Sequence, residues 1–279
     1  MSLCCRLDSA GKEEVGEGIE GDKGHSNIIV DVKGNQMKII DEILSSLDYK
    51  ASVGDIRQGP FQTAVLTRHC GLASTPHESG PHHSRAPVTE AGLLVEKDVR
   101  ALAGMANSES HFEAAIGMAT INSLIEIEEQ RCEEINAGDL LAQKGQGKRV
   151  AIVGHFPFVP QLRSVAKELW VIEKKPQGGD LPEAEADRLL PQADVVGITG
   201  TAFTNHTLEH LLDLCDPKAY VVILGDTTPL SPVLFDYGIS ALSGTRVIDP
   251  KTVLLCVSQG ATFRQIRGIR LLTMLRLRR

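Results

Sequence analysis

The sequence predicts an α/β fold: a doubly wound, mostly parallel sheet in the second half, preceded by a smaller α+β part. Three observations carry this expectation. After Arg149 the short apolar runs VAIVG, LWVIE, DVVGITG, YVVILG and TVLLCV recur about 20–30 residues apart. Runs that are apolar on both faces are the pattern of buried parallel strands, and the helix-like or turn-rich segments between them supply the crossovers. The first half instead groups its strand-like runs before its helix-like ones, which is the order of an α+β unit.

Taken in order, residues 1–35 are rich in Gly, Glu and Lys and have little periodicity, so they read as a disordered lead with at most one short strand. MKIIDEILSSL places Ile40, Ile43, Leu44 and Leu47 on one helical face. VGDIRQGPFQTAVLT is strand material with Gly59-Pro60 as a turn, and CGLAST pairs with it as the next strand. PHESGPHHSRAP is a loop. Leu94–Met105 reads as a helix, and HFEAAIGMATINSLIEI as a second, with Phe112, Ala115, Ile116, Ala119 and Leu124 close to one side. The α+β domain therefore spans residues 36–127, residues 128–147 form a linker ending in KGQGKR, and residues 148–279 form the doubly wound domain. Within the linker NAGDLL has the look of a short capped segment. The last residues, RLLTMLRLRR, read as a strand and a frayed end.

The balance of charges narrows the function. A net charge of −7 lacks the basic surface that a phosphate-backbone binder needs, so no nucleic acid is expected as partner. No apolar run approaches the ~20 residues of a membrane span, and the first residues lack the apolar core of a signal peptide. No membrane is therefore expected, and the expected location is cytoplasmic. The six cysteines contain no C-x-x-C pair and read as reduced thiols, with Cys215 and Cys256 in apolar surroundings. The remaining partner is a small molecule or metal, with a homo-oligomer open.

One motif invites a metalloprotease reading. HTLEH, residues 206–210, fits H-x-x-E-H. On a helix His206 and His210 lie about 40° apart and share a face. Leu208, Leu211, Leu212 and Cys215 take the opposite side, which describes an amphipathic helix on a sheet. A zinc protease also needs a further protein ligand, usually a downstream glutamate, and no glutamate follows Glu209. A second histidine concentration, His69, His77, His82 and His83 with Cys70 and Glu78, is too loosely spaced to be a metal signature.

Ligands of open α/β sheets bind at the carboxyl ends of the strands. The first such end is VGHFPF. Gly154 is present but G-x-G-x-x-G is not: His155, Phe156, Pro157 and Phe158 fill the turn, so an ordinary pyrophosphate cradle is not expected. His155 is a candidate acid/base group or metal ligand. Glu173 ends the second strand, where nucleotide-binding sheets place the acid that grips ribose hydroxyls; a solvated strand-end glutamate is the alternative. GTAFTN supplies Gly200, Thr201, Thr204 and Asn205 for an anion, unless Thr204 or Asn205 simply caps the next helix. GDTTPLSP offers Gly225, Asp226, Thr227 and Thr228 before Pro229 in a loop able to close over a ligand, and Ser231-Pro232 begins a helix.

In combination, GKRVAIVGHFPFV, GDLPEAEADRLLPQADVVGITGTAFTNHTLEHLL and VVILGDTTPLSPVLFDYGISALSGTRVID resemble a domain family of unknown function whose label names heavy-metal chelation. TAVLTRHCGLAST, VTEAGLLVE and EAAIGMATINSLI resemble the domain that usually precedes it. The resemblance covers about residues 37–270. It implies an enolase-N-terminal-like α+β domain joined to a Rossmann-like domain, with a site in the cleft between them. It also implies His155, Phe156, Pro157, Gly200, Thr228 and Pro229 as site positions, with Glu113 and Asn122 from the first domain. The chain departs from the family's frequent G-P-G-T-P turn by having Gly225-Asp226-Thr227-Thr228-Pro229, which adds a carboxylate where bare backbone would face a ligand.

Three functions follow as expectations. The first is binding of a divalent transition metal, or of a metal-chelating small molecule, with His155 and Asp226 as metal ligands; imidazole and carboxylate suit borderline metals. The second is a transferase- or ligase-like enzyme using an adenosine-containing cofactor, with Glu173 on the ribose, His155 as general acid/base and Glu113 as a second catalytic group. The third is a non-catalytic interaction scaffold.

Overall fold

A computed structural model describes residues 39–77 and 86–277. The expected lead over residues 1–35 lies outside these residues, as do Glu78, His82 and His83 of the histidine-bearing loop.

Helix α1 (Ile39–Ser46) buries Ile39, Ile40 and Ile43, with Leu44 and Leu47 packed against the same core. An antiparallel meander follows: β1 (Asp55–Gln58), β2 (Gln62–Leu66) and β3 (Cys70–Ser74), in that order across the sheet. β2 and β3 are buried on both faces, while β1 at the edge is partly exposed. Val65 and Ala73 join the core that contains helix α3 (His111–Leu124), while Ala64, Cys70 and Leu72 pack on helix α9 (Pro250–Ser258). Both contacts are close. A Cβ on Gly71 would lie 2.1 Å from the Ala119 carbonyl oxygen of α3, and one on Gly59 would lie 2.3 Å from the Val257 carbonyl oxygen of α9. The small sheet is thus clamped between a helix of its own half and a helix of the other.

The expected helix over Leu94–Met105 is interrupted. Leu94–Glu96 forms a 3₁₀ turn, and α2 (Val99–Gly104) starts afresh behind Asp98, whose carboxylate accepts the N–H groups of Arg100 and Ala101. The stretch 128–147, expected as a linker, instead carries strand β4 (Cys132–Glu133) and helix α4 (Ala137–Gly145). Asn136 caps α4 through the N–H of Gly138, and Leu140 and Leu141 are buried beneath the large sheet.

That sheet contains β5 (Arg149–Val153), β6 (Glu168–Glu173), β7 (Leu181–Pro182), β8 (Val195–Thr199), β9 (Tyr220–Leu224), β10 (Ala241–Val247) and β11 (Ile269–Leu275), in the order β4-β11-β10-β9-β8-β5-β6-β7. Pairings from β7 across to β10 are parallel, and β10–β11 and β11–β4 are antiparallel. Helices α5 (Val159–Val165), α6 (Ala186–Leu189), α7 (Thr201–Thr204) and α8 (Leu208–Asp213) lie in the connections. The mostly parallel α/β sheet with a smaller α+β part is therefore the observed architecture. Strand order reverses between β5 and β8: the chain leaves β5 for β6 and β7, then returns to β8 on the other side.

One apolar run expected as a strand is a helix. TVLLCV is part of helix α9: Asp249 accepts the N–H of Thr252 as N-cap, Pro250 occupies the first turn, and Val253, Cys256 and Val257 are buried while Leu255 is exposed. Burial pushes the thiols of Cys70 and Cys215 up to about 12; of the two cysteines expected in apolar surroundings, Cys256 is buried and Cys215 partly so. Among the described residues no helix is long and apolar enough to cross a membrane.

Candidate functional site

The carboxyl ends of β5, β6, β8 and β9 face the small sheet across a cleft with two lobes. Lobe one, of ≈ 630 Å³, takes in His77, His155, Glu173, Thr201 and Asn205. Lobe two, of ≈ 840 Å³, takes in Pro157, Gly225, Asp226 and the Phe158 ring. Gln62, Ser74, Phe156, Thr199 and Phe263 line both and mark the seam. These volumes are in the range of small-molecule sites, about 300–1,000 Å³. The cleft also sits at the reversal of strand order, where α/β sheets bind ligands.

The turn after β5 depends on a glycine. Gly154 has φ +104°, a conformation that side chains strain to adopt, and its N–H donates to the Ile172 carbonyl oxygen. His155 follows, with its backbone N–H donating to Glu173 Oε2 at 3.0 Å. Glu173 Oε1 accepts the N–H groups of Lys174 at 2.8 Å and Lys175 at 3.4 Å. Glu173 therefore spends its oxygens on three backbone amides and braces the turn; a ribose diol would have to compete with them. The His155 ring, with 39% of its side chain exposed, has Nδ1 2.9 Å from Oδ2 of Asp180, whose side chain is 2% exposed. Phe156 and Phe158 stack at 5.1 Å and wall the seam and lobe two.

Across the seam, Gly225 turns at φ +120° and Asp226 is buried. Ser74 Oγ of β3 donates to Asp226 Oδ1 at 2.7 Å, the Thr227 hydroxyl donates to the same oxygen at 3.3 Å, and the Ser74 N–H donates to Thr227 Oγ1 at 2.9 Å. Asn122 of α3 adds donations from Nδ2 to the carbonyl oxygens of Leu72 and Thr227, so it ties the two halves together from behind. Burial pushes the Asp226 carboxyl above its ordinary range, against hydrogen bonds from Ser74, Gln62 and Thr227 that pull it down. Among the described residues no cation offsets that burial. Two oxygens nearby, Gln62 Oε1 and Thr228 Oγ1, are buried without a hydrogen-bond partner. Each such orphan costs about 1–3 kcal/mol.

The other expected residues divide. Thr201 and Asn205 line lobe one, with the Thr201 hydroxyl 3.0 Å from that of Thr199. Gly200 is a contact point: a Cβ there would lie 2.7 Å from Thr228 Oγ1 and 2.9 Å from the Thr228 nitrogen. Thr228 and Pro229 are buried behind it and line neither lobe. Glu113 is also not brought to the cleft. Its carboxylate accepts the Thr89 N–H at 2.7 Å and the Ser108 hydroxyl, bracing the start of α3. His155 and Asp226 line different lobes, and among the described residues no three His, Cys, Asp or Glu side chains gather as a metal cage.

HTLEH is not one helical face. His206 precedes α8 with φ +54°, and its Nε2 donates to the Ser108 carbonyl oxygen at 2.9 Å. His210 lies 3.0 Å from Asp187. The two rings face different partners. The sequence reading missed Gln62, Ser74, Phe263 and Asp180. For Asp180 the available signal was position: a Gly178-Gly179 turn soon after the second strand delivers it to the carboxyl edge.

Known proteins resemble this chain in sequence and fold. A family model described as "Putative heavy-metal chelation" matches residues 136–275, and a second model with the same description matches residues 40–125. An uncharacterized protein of Methanocaldococcus jannaschii is 29% identical over 183 residues, 63% of this chain and 71% of the relative. The crystal structure of a protein of unknown function from Desulfitobacterium hafniense superposes with a TM-score of 0.73 at 26% identity, over 85% of this chain and 98% of that one. One from Pyrococcus horikoshii has the same TM-score of 0.73 and the same coverage, 85% and 98%, at 21% identity, which speaks to the fold alone.

Proposed function

Because this chain belongs to the family described as "Putative heavy-metal chelation", we propose that it binds a transition metal together with an organic chelating ligand in the cleft between its α+β and Rossmann-like parts. The observation that carries this reading is the two-lobed cleft at the strand-order reversal, with the His155 imidazole on lobe one and the buried Asp226 carboxylate on lobe two. An all-protein metal site uses three or four side chains at one point. The described residues bring no three such groups together. A metal held by them takes the rest of its coordination sphere from a ligand large enough to reach both lobes.

In this reading His155 offers a ring nitrogen to a borderline metal. Asp226 receives a cationic or hydrogen-donating part of the same ligand, which also offsets the cost of its burial. Phe156, Phe158 and Phe263 supply flat apolar walls, and Thr201 and Asn205 supply hydrogen bonds at the mouth of lobe one. Small-molecule handling, rather than catalysis through Glu113 or ribose binding through Glu173, is what these positions support.

Native mass spectrometry with elemental analysis, on untagged protein purified without chelators, tests the reading. It predicts an organic mass and a transition metal retained together, both lost in His155→Ala. Metal retained at full stoichiometry in that variant would sink the assignment.

A further inference from the structure

We propose that Asp180 is a positioning residue for His155: it holds the imidazole as the Nδ1–H tautomer and so keeps the Nε2 lone pair open at the cleft. The proposal rests on the reading above for what that lone pair meets, a metal carried by a chelate, but not for the orientation itself.

Both ends of the histidine are fixed. Its backbone N–H donates to Glu173 Oε2 at 3.0 Å, and its Nδ1 lies 2.9 Å from Asp180 Oδ2. Asp180 is itself locked. The Gln177 N–H donates to Asp180 Oδ2 at 3.0 Å, the Asp180 N–H donates to the Gln177 carbonyl oxygen at 2.8 Å, and Gly179 at φ +92° closes the turn. An ionised carboxylate only accepts, so the ring nitrogen facing it carries the proton. The neutral ring then has its lone pair on Nε2, and this nitrogen has no hydrogen-bond partner among the described residues. Metal-ligating histidines are oriented in this way, with a carboxylate on the other ring nitrogen fixing the tautomer and raising the basicity of the ligand atom.

A second histidine–carboxylate pair provides an internal contrast. His210 and Asp187 also approach, at 3.0 Å, but 65% and 67% of their side chains are exposed and neither lines the lobe beside His155 as a buried–open pair. Asp180 has 2% exposure against 39% for the ring it holds. Burial of the carboxylate and openness of the ring separate a positioned ligand from a surface contact.

The experiment is long-range ¹⁵N–¹H NMR of the histidine rings in the full chain and in Asp180→Asn. It is followed by titration with cobalt(II) nitrilotriacetate, a chelate with open positions for an imidazole, read as paramagnetic broadening of the His155 ring signals. Neutral His155 is expected as a single Nδ1–H tautomer. Asp180→Asn should mix the tautomers and raise the chelate concentration needed for broadening by about 10–100-fold, the usual effect of removing such a partner. An Nε2–H tautomer in the unaltered chain overturns the proposal without any variant having to fold. An unchanged tautomer and titration in Asp180→Asn overturn it too. Mixed tautomers in the variant, with no broadening of His155 in either protein, support the positioning role and count instead against metal chelates as the occupant.

Discussion

The two ends of the parallel sheet are built on opposite terms. At the amino end, Arg149 of β5 and Asp194 just before β8 close on each other: the guanidinium donates to both carboxylate oxygens, at 3.2 and 2.8 Å, and the Arg149 N–H donates to Oδ2 at 2.9 Å. The backbone returns the bond, from the Asp194 N–H to the Arg149 carbonyl oxygen. At the carboxyl end of the same strands stand the buried Asp226 carboxylate, Gln62 Oε1 buried without a hydrogen-bond partner, and a His155 Nε2 with no hydrogen-bond partner among the described residues. The Arg149–Asp194 pair satisfies both its partners, while the carboxyl end keeps groups with unused hydrogen-bonding capacity. Retained capacity in a walled cleft is what a ligand uses, so the contrast locates the site independently of any motif.

Four changes break or sharpen that contrast. The largest effect is expected from Gly200→Val, which drives side-chain atoms into the Thr228 backbone across the β8–β9 loops. Overpacking of this kind costs about 1–3 kcal/mol, and urea unfolding should show a lower midpoint with an unchanged slope. Unaltered stability would mean the loops are not in contact.

Asp226→Asn should come next and change sign with respect to ordinary carboxylate losses. The folded-state pKa of Asp226 is raised, so ionisation is costlier folded than unfolded. Its penalty is absent below the ordinary value of 3.8 and grows as pH rises from there toward the raised folded value. The variant should therefore gain thermal stability relative to the parent as pH rises through that window, while weakening ligand retention. Parallel melting curves at all pH values would contradict the buried, unpaired carboxylate.

Asp194→Asn should do less, and in the opposite pH direction. Hydrogen bonds from the Arg149 side chain and backbone hold the Asp194 carboxyl down to about 2, from an ordinary 3.8. Its stabilisation is present above 3.8 and is lost as pH falls toward about 2. The group is exposed, so solvent screening keeps the effect small. Metal and organic mass by native mass spectrometry should be unchanged. The smallest effect is expected from the double change His206→Gln, His210→Gln, which should leave retained metal at the parental stoichiometry; a loss would revive HTLEH as a ligand pair.

Much of this was legible in the residues. The apolar runs that became β5, β8 and β9 were apolar because both sheet faces are covered, and Gly154, Gly200 and Gly225 at their ends pointed to the ligand edge. TVLLCV misled because a helix buried on one side and short of polar residues reads like a buried strand; the Asp249-Pro250 start was the signal that separates them. β10 was hidden for the reverse reason. ALSGTRV carries Ser243, Gly244 and Thr245, and the Ser243 hydroxyl is satisfied by Thr273 of β11, 2.8 Å away, a partner no local window shows. The site was legible on one side only. His155 and Asp226 were visible at strand ends, whereas Gln62, Ser74 and Asp180 enter through contacts between segments far apart in sequence. Glu113 and Glu173 had plausible residue types, and their oxygens proved to be engaged by backbone amides and a hydroxyl instead.

The most direct test of a chelate-filled cleft is anomalous X-ray scattering from crystals of protein isolated with its ligand. The account predicts a metal peak in the cleft about 2.0–2.1 Å from a ring nitrogen of His155, with organic density continuing into the lobe walled by Phe156 and Asp226. A peak coordinated by protein side chains alone, or one lying away from the carboxyl ends of the strands, would contradict it.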